Sequence, residues 1–256
     1  MKIAMYQPYF FPYIGYFQLM NAVDKFILYT DVDYIRQGWI NRNRILQRGK
    51  GDLYITVPVH HNTQMLIKDV IIDNVSKRWV SKITQSITQN YSRSPYFGEV
   101  FPFLEELING QVYQEIAKLD EITLRAIANY LDIRTEIVNV TGRYSELEKK
   151  LACMQTVGYK EFLQYEEKKV PKMSIRIMEI CHMEIADSYI SAIGGITLYD
   201  KQSFDSYGVS LNFIQTHDIR YEQYSENFIP NLSIIDVLMH NGKEKTKELL
   251  TQYTLI

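Results

Sequence analysis

Short apolar runs alternate along this chain with stretches of helical periodicity, a pattern typical of α/β proteins. Residues 1–6 and 25–29 are two such runs, and residues 17–23 between them have the spacing of a helix. They predict one strand–helix–strand unit within the first 33 residues. In open α/β sheets, ligands bind outside the carboxyl ends of such strands. The sequence therefore predicts a small-molecule site, suited to a nucleotide, formed in part by residues 7–16 and 30–33.

The rest of the chain continues this alternation. Further strands are predicted at residues 53–59, 67–72, 135–140, 187–191 and 209–214. Helices are predicted at residues 79–91, 97–108, 112–131, 174–183, 204–207, 234–239 and 243–253. Ser233 is the expected N-cap of the helix that follows it, and Asn241-Gly242 is expected to end that helix.

Alternating elements of this kind predict a single α/β domain over residues 1–256 with a Rossmann-like, mostly parallel sheet. A helical subdomain at about 76–134 is expected to pack beside the sheet. A charged helical insertion is expected at about 144–170. A run of charges usually forms a solvated face, so no chemistry is assigned to this insertion.

Composition and charge are those of an ordinary globular protein. The 256 residues are 46% hydrophobic and 23% charged, with a formal net charge of −2. This balance predicts no general attraction to nucleic acid or to acidic membrane surfaces. No apolar run reaches the roughly 18 residues that a membrane span requires, and the N-terminus lacks the pattern of a secretory signal. We therefore expect a cytoplasmic protein with no membrane span, whose oligomeric state the sequence leaves open.

The loop after the first predicted strand groups polar and aromatic side chains around a glycine. Gln7, Tyr13 and Tyr16 surround Gly15 at a strand-to-helix junction. Core packing accounts for roughly half of the aromatic residues here, because large apolar side chains are usually buried. Packing alone does not explain the grouped polar atoms, since tyrosine rings also stack and tyrosine hydroxyls also bond. Gln7, Tyr13, Gly15 and Tyr16 are therefore predicted to bind the ligand.

Three further groups of residues complete the predicted binding site. Asp31 follows the second strand, and Gly194-Gly195 follows the strand at 187–191, where glycines let the backbone approach a ligand closely. Aromatic, amide and guanidinium groups are interleaved in Trp39, Asn41, Arg42, Asn43 and Arg44. Arginine forks pair with phosphate, and a tryptophan face stacks on planar rings. A solvated loop or edge strand with paired charges is the alternative interpretation of residues 39–44.

The remaining chemistry is limited by what the sequence lacks. His60 and His61 are candidate general bases, but neighbours in a strand point to opposite faces and do not form a metal pair. No His, Asp or Cys cluster has metal-ligand spacing, and the two cysteines imply neither a disulfide framework nor a zinc site. The phosphate-binding loop of P-loop kinases, the Gly-x-Gly-x-x-Gly fingerprint of NAD dehydrogenases and the nucleophile elbow of serine hydrolases are absent.

Several motifs resemble those of the WbqC-like protein family. The opening, residues 6–19, is the most specific of them and reads YQPYFFPYIGYFQL. The others are spread along nearly the whole chain: AVDKFILYTDV, GWINRNRIL, the Gly194-Gly195 pair and LSIIDVL. Genes for members of this family often lie among those for O-antigen or other surface-polysaccharide synthesis. The resemblance therefore implies transfer of an acyl or aminoacyl group, such as glycyl, to the amine of a nucleotide-linked sugar.

A remoter resemblance is to nucleotidylyltransferases, in which the first strand leads to Pro-His-x-Gly-His. Residues 12–16 here read Pro-Tyr-Ile-Gly-Tyr. The glycine is retained, but tyrosines replace the two imidazoles that stabilise phosphates there, which counts against nucleotidyl transfer. Lys172-Met173-Ser174 looks like the Lys-Met-Ser signature of related enzymes but comes too early in the chain, so Ser174 is instead predicted to be a helix N-cap.

The favoured function is thus a transferase acting on a nucleotide-linked amino sugar, with His60 or His61 as the base that takes the amine proton. No cofactor is firmly implied beyond an acyl thioester donor, held by a carrier protein or by coenzyme A. Phosphate and ring contacts are predicted from Arg42, Arg44, Gly194, Gly195, Trp39 and Tyr13. The alternatives are a nucleotidylyltransferase-like enzyme with altered catalytic groups and a non-catalytic nucleotide-sugar-binding protein.

Overall fold

The computed structural model describes residues 1–62, 64–75, 78–153 and 170–256. The strands are β1 (Lys2–Tyr6), β2 (Lys25–Leu28), β3 (Arg42–Gln47), β4 (Gly51–Thr56), β5 (Val59–His60), β6 (Ile71–Ile72), β7 (Glu136–Asn139), β8 (Ser188–Ala192), β9 (Ser210–Thr216) and β10 (Tyr253–Leu255). The helices are α1 (Ile14–Asn21), α2 (Arg78–Tyr91), α3 (Phe97–Asn109), α4 (Ile116–Tyr130), α5 (Ser145–Cys153), α6 (Lys172–Met183), α7 (Lys201–Asp205) and α8 (Ile234–Leu249). Short 3₁₀ helices cover Ile67–Asp69 and Ile193–Thr197.

The central sheet has the spatial order β7-β2-β1-β8-β9-β10. Its strands run parallel except for β10, which is antiparallel to β9. Counting only the strands of this sheet in chain order, the arrangement is 3-2-1-4-5-6, the strand order of a Rossmann fold. The predicted fold class is therefore confirmed, and the strand order reverses beside β1.

Both faces of the sheet are buried, as a parallel sheet requires. Along β1 and β2 the side chains alternate: Ala4 and Phe26 pack in one cluster with α1, α2, α3, α4 and α8. Ile3 and Ile27 pack in a second cluster with α5, α6 and α7. The helices predicted at about 76–134 are thus α2 to α4, and they share the hydrophobic cluster of the central strands.

Two predicted strands are wrong in part. The segment predicted at 53–59 is two strands, because β4 forms a hairpin with β3 whereas β5 pairs with β6. The segment predicted at 67–72 begins as a 3₁₀ helix, since the amides of Ile67 and Lys68 donate to the carbonyls of Val32 and Thr30. Only its last residues, Ile71–Ile72, form a strand.

The C-terminal region also differs from the prediction. Ser233 is confirmed as the N-cap of α8, since its Oγ accepts from the amide of Ile235. Gly242 adopts φ +63° and ψ −169°, which are not helical, so the first helical segment of α8 ends here as predicted and a second segment continues to Leu249. A Cβ at this glycine would lie 2.4 Å from a ring carbon of Tyr96, so close packing requires glycine here. Strand β10 was not predicted, because three residues show no periodicity.

Two further points concern the predicted insertion and the helix after it. Residues 145–153 of the insertion form α5, and residues 154–169 lie outside the described residues. The prediction that Ser174 is an N-cap is wrong: α6 begins two residues earlier, with Pro171 as its N-cap, and Ser174 is buried in the first turn.

Within the described ranges, no helix is long and apolar enough to span a bilayer.

Candidate functional site

The carboxyl ends of β1, β2 and β8 open into a cavity of about 1040 Å³. Since β2 and β8 flank β1, the cavity lies where the strand order reverses, which is the usual position of ligand sites in open α/β sheets. Residues 31–35, helices α5 and α6 and the 3₁₀ helix Ile193–Thr197 also contribute to its walls. Its volume is at the upper end of the roughly 300–1000 Å³ found for small-molecule sites.

Charged side chains of both signs line this cavity. The carboxylates are Asp31, Asp33 and Glu148, and the cations are Lys68, Lys149 and Arg176. Four of these six groups are joined as two ion pairs. A ligand that carries only one sign of charge would be attracted by one set of wall charges and repelled by the other.

The first ion pair joins Asp31 and Lys68. Lys68 Nζ lies 2.7 Å from Asp31 Oδ1, and the Asp31 side chain is only 4% exposed. The amide of Gly142 donates to Asp31 Oδ2 over 2.6 Å. The 3₁₀ helix holds Lys68 beside the end of β2 because the Lys68 amide donates to the carbonyl of Thr30. A buried carboxylate thus fixes one cation at the cavity wall.

The second ion pair is bidentate and connects three elements. Arg176 of α6 donates from Nε and Nη2 to the two oxygens of Glu148 in α5, over 2.6 and 2.8 Å. Tyr29, at the end of β2, donates to Glu148 Oε1 over 2.5 Å. Burial opposes the charge on Arg176, but the hydrogen bonds to Glu148 outweigh it and raise the pKa of the guanidinium. Arg176 is therefore a permanent cation in the cavity.

Hydroxyl groups line the wall between β1 and β8. The amide of Ala192 donates to Tyr6 Oη over 2.7 Å, and Tyr6 Oη lies 3.3 Å from Ser191 Oγ. A Cβ at Gly195 would come within 2.5 Å of Ser191 Oγ and 3.1 Å of the Tyr199 ring. Gly195 therefore allows the 3₁₀ helix to lie directly against the end of β8.

Three tyrosines of the cavity, Tyr29, Tyr189 and Tyr199, have raised pKa values. Burial, helped by the nearby Tyr6, raises the pKa of Tyr199 to about 12. Burial and then the hydrogen bond to Glu148 raise the pKa of Tyr29, and burial raises the pKa of Tyr189 well above its ordinary value. These hydroxyls stay neutral and can bond to a ligand, but they are not general bases.

The structure brings four of the predicted site residues to the cavity: Gln7, Asp31, Gly194 and Gly195. The others are not among the described residues that line it. They are Tyr13, Gly15, Tyr16, Trp39, Asn41, Arg42, Asn43, Arg44, His60 and His61. Most of these residues make contacts within the protein. Their predicted ligand-binding and catalytic roles stay predictions.

Asn43 holds the loop between β1 and α1. Its Nδ2 donates to the carbonyls of Phe10 and Phe11, each over 3.0 Å, and Ser233 Oγ donates to the carbonyl of Phe11 over 2.7 Å. Phe11 is fully buried and has φ +42°, a conformation that residues other than glycine rarely adopt. We call Phe10, Phe11, Asn43 and Ser233 the loop clamp. It fixes the loop that carries Gln7 into the cavity.

Tyr13, Gly15 and Tyr16 belong to the same junction. Tyr16 Oη donates to the carbonyl of Gln7 over 2.9 Å, and burial raises the pKa of Tyr16 well above its ordinary value. The Tyr13 ring lies against Gly15, where a Cβ would come within 2.4 Å of it. The tyrosine hydroxyl that replaces the second imidazole of the nucleotidylyltransferase motif is thus used inside the protein.

Residues 39–44 contact the β3–β4 hairpin and its neighbouring loops. Asn41 accepts from Tyr34 and donates to the carbonyl of Val57, each over 2.8 Å. Trp39 stacks on Tyr54 with ring centres 6.3 Å apart. Arg42 lies over the same Tyr54 ring at 4.7 Å, and Arg44 Nη1 lies 3.5 Å from Asp52. Residues 42–44 therefore lie in a strand of a two-stranded hairpin, with Arg44 beside Asp52, and the predicted ligand role of the segment stays a prediction.

His60 and His61 lie at the short strand β5. The His60 side chain is 66% exposed, with Nε2 3.7 Å from Asp73 Oδ1. The His61 ring packs 5.1 Å from the ring of Tyr34. Neither is a lining residue of the cavity.

Sequence reasoning missed Lys68, Glu148 and Arg176. Lys68 lay in a segment that was predicted to be a strand, and Glu148 lay in a charge run. Arg176 follows closely after Lys172-Met173-Ser174, of which Met173 lines the cavity. That motif is the one signal for this wall in the sequence, but its early position in the chain favours a helix start instead of a ligand site.

Fold and site together define a class: a Rossmann-like α/β protein with a mixed-charge cavity at the reversal point of its sheet. The model of the WbqC-like protein family matches residues 7–248, and the chain belongs to this family. It is also 28% identical over 246 residues to an uncharacterized protein of Mycobacterium tuberculosis, an alignment that covers 95% of both chains. No solved structure matches the chain significantly.

Proposed function

We propose that the protein is a cytoplasmic transferase that acylates the amine of a nucleotide-linked amino sugar for surface-polysaccharide synthesis. The mixed charge of the cavity is the observation that carries this proposal. An amino sugar attached to a nucleotide has an ammonium group and phosphates in one molecule. Such a ligand gives both the carboxylates and the cations of the wall a partner. The resemblance to a family associated with polysaccharide genes supports the same substrate class.

In this proposal Lys68 and Arg176 hold the phosphates. Both are lining residues whose position is fixed by a carboxylate, so little side-chain freedom is lost when a ligand binds. Arginine matches phosphate bidentately, and lysine acts as a point charge. Gly194 offers an unobstructed backbone, and the hydroxyl of Tyr199 offers a donor to the sugar.

The reaction is attack of the sugar amine on the carbonyl carbon of an acyl thioester. The nitrogen lone pair forms the C–N bond, and the C–S bond then breaks with its electron pair on sulfur. The bound ammonium releases one proton to water before the attack; the nitrogen loses a second proton as the amide forms and the thiolate gains one, so the products are an amide, a free thiol and one released proton. Asp33 takes the amine proton in this proposal. It lines the cavity, and among the described residues its side chain has no ion pair.

Ligand binding tests the substrate class. Calorimetric titration compares a nucleotide-linked amino sugar with the same nucleotide sugar bearing a hydroxyl in place of the amine. We expect the amine to bind about tenfold more tightly, the equivalent of one charge-assisted contact. A ligand that binds only the folded state also raises the melting temperature by mass action. Absence of binding by every nucleotide sugar would overturn the proposal.

Turnover tests the reaction. The amino sugar and an acyl thioester are incubated with the protein, and mass spectrometry follows the N-acyl sugar while a thiol reagent follows the free thiol. Both products should form in equal amounts, and Asp33→Asn should lower their rate by about 100-fold, as expected for loss of a general base. Binding without turnover of any thioester would instead favour the non-catalytic alternative.

A further inference from the structure

The mouth of the cavity is apolar, in contrast to its interior. Ile35, Met173 and Leu198 line the cavity but are 55%, 40% and 50% exposed. Ile193 and Ile196, in the 3₁₀ helix of the same wall, are 39% and 49% exposed. We call these five residues the apolar rim. Exposed apolar residues are ordinary when scattered, but a group of them around one opening marks an interaction site.

Cations accompany the apolar rim in each of its segments. Arg36 follows Ile35, Lys172 precedes Met173, and Lys201 lies three residues after Leu198. Within the described ranges, none of these three cations forms an ion pair with a carboxylate.

Of the acidic side chains near the rim in the described part of the chain, Asp33 has no ion pair, whereas Asp200 and Glu146 have partners. Asp200 caps α7 by accepting from the amide of Ser203 over 2.8 Å, and Glu146 pairs with Lys149 over 2.7 Å. The cations beside the rim are therefore not neutralised by these carboxylates. The rim thus combines exposed apolar side chains with an excess of positive charge.

We propose that the apolar rim docks a small acidic carrier protein, which delivers the acyl group as a thioester on its phosphopantetheine arm. The inference rests on the proposed function, because an acyl donor must enter through this mouth to reach an amine held in the polar interior. Coenzyme A would match the cations through its phosphates but would leave most of the exposed apolar side chains of the rim uncovered. An acidic helix with exposed apolar residues matches both the rim and its cations.

Direct binding tests the surface without requiring turnover. The probe is a bacterial acyl carrier protein in its holo form, titrated by surface plasmon resonance against the full chain. The variant Ile193→Ser/Ile196→Ser changes rim residues that do not line the cavity. We expect it to weaken carrier binding about tenfold, as for apolar residues at an interface centre. The matched control is Val112→Ser, which changes a 54% exposed residue in the loop before α4 and should leave binding unchanged.

Turnover then distinguishes the carrier from coenzyme A. With glycyl-loaded carrier, the rim variant should raise KM about tenfold, whereas KM for glycyl-coenzyme A should not change. Wild-type use of both donors at equal KM, or a rim variant that impairs both donors equally, would overturn the inference; so would failure of the holo carrier to bind. Melting temperature and nucleotide-sugar affinity confirm that the variant is folded. If nucleotide sugars do not bind although the carrier does, the proposed function fails and the docking surface stands.

Discussion

The loop clamp and the cavity meet at the end of β1 but are built from different groups. In the loop clamp, Asn43 and Ser233 are neutral, buried and fully bonded to backbone carbonyls. In the cavity, Glu148 and Arg176 are charged and each about one-fifth exposed. Satisfied neutral groups fix one backbone conformation, whereas partly solvated ion pairs can exchange a partner for a ligand. The family motifs mark the first kind of region more strongly than the second.

The motif LSIIDVL extends the loop clamp through Asp236. This carboxylate is fully buried and accepts from Tyr91, Tyr221 and Gln223 over 2.7, 2.7 and 2.8 Å. Tyr91 Oη in turn accepts from the amide of Leu46 in β3. One carboxylate therefore connects α8 with α2, with the segment before α8 and, through Tyr91, with β3.

Removal of this carboxylate should have the largest effect on stability. Asp236→Ala removes the shared acceptor of three hydrogen bonds and leaves the buried Tyr91 hydroxyl without its acceptor, and we expect the free energy of unfolding to fall by about 3–5 kcal/mol. Urea unfolding followed by circular dichroism measures it. Tyr221→Phe, which removes one donor and leaves the others paired, should cost only about 1 kcal/mol. Similar losses for the two variants would show that Asp236 does not organise the network.

The corresponding substitution in the cavity should weaken ligand binding more than it lowers the free energy of unfolding. Arg176→Gln is expected to weaken nucleotide-sugar binding by about 10–100-fold, since one charged phosphate contact is lost. Its effect on the free energy of unfolding should stay within about 1 kcal/mol, because the ion pair is partly exposed. Arg44→Gln is the control, since the Arg44–Asp52 pair is 27% and 30% exposed but lies outside the cavity. Calorimetric titration that gives equal losses for both variants would contradict the assigned site.

Asp120 contrasts with Asp236, which accepts three hydrogen bonds. Asp120 is a buried carboxyl group without a hydrogen-bond partner in the described part of the chain. Burial raises the pKa of Asp120 well above its ordinary value. At a pH above that ordinary value the folded state keeps a proton that the unfolded chain has lost. The free energy of unfolding therefore falls as pH rises, by at most about 1.4 kcal/mol per pH unit from this group.

Asp120→Asn removes this titration. The variant should lose less stability than the wild type as the pH rises above the ordinary pKa of an aspartate. Urea unfolding at several pH values measures it. Parallel pH profiles for the two proteins would show that Asp120 does not titrate differently in the folded and unfolded states.

The smallest effect is expected at a residue that the sequence placed in the site. Trp39 is 39% exposed and stacks on Tyr54, away from the lining of the cavity. Trp39→Ala should therefore leave nucleotide-sugar affinity unchanged within about twofold. A loss comparable to that of Arg176→Gln would mean that the ligand extends to the β3–β4 hairpin.

Periodicity predicted the fold because each central strand is a short apolar run that both faces of a parallel sheet bury. It also placed Gln7, Asp31 and Gly194-Gly195 at the strand ends that form the cavity. It could not find Lys68, whose segment alternates like a strand but is bent by hydrogen bonds to residues 30–32. Nor could it find Glu148 and Arg176, which are 28 residues apart and meet only when α5 and α6 pack together. For residues 39–44 the sequence could not separate a structural role from a ligand role, since a structural clamp needs the same amides as a ligand site.

The loop clamp has a consequence for the order in which the chain can mature during synthesis. Ser233 and Phe11 are separated by 222 positions, so the hydrogen bond between them forms only after nearly the whole chain has left the ribosome. At translation rates of roughly 5–20 residues per second, the β1–α1 loop waits on the order of tens of seconds for its final contact. Until then the β1–α1 loop lacks the hydrogen bond that the C-terminal part of the chain supplies, so its final conformation depends on residues made last.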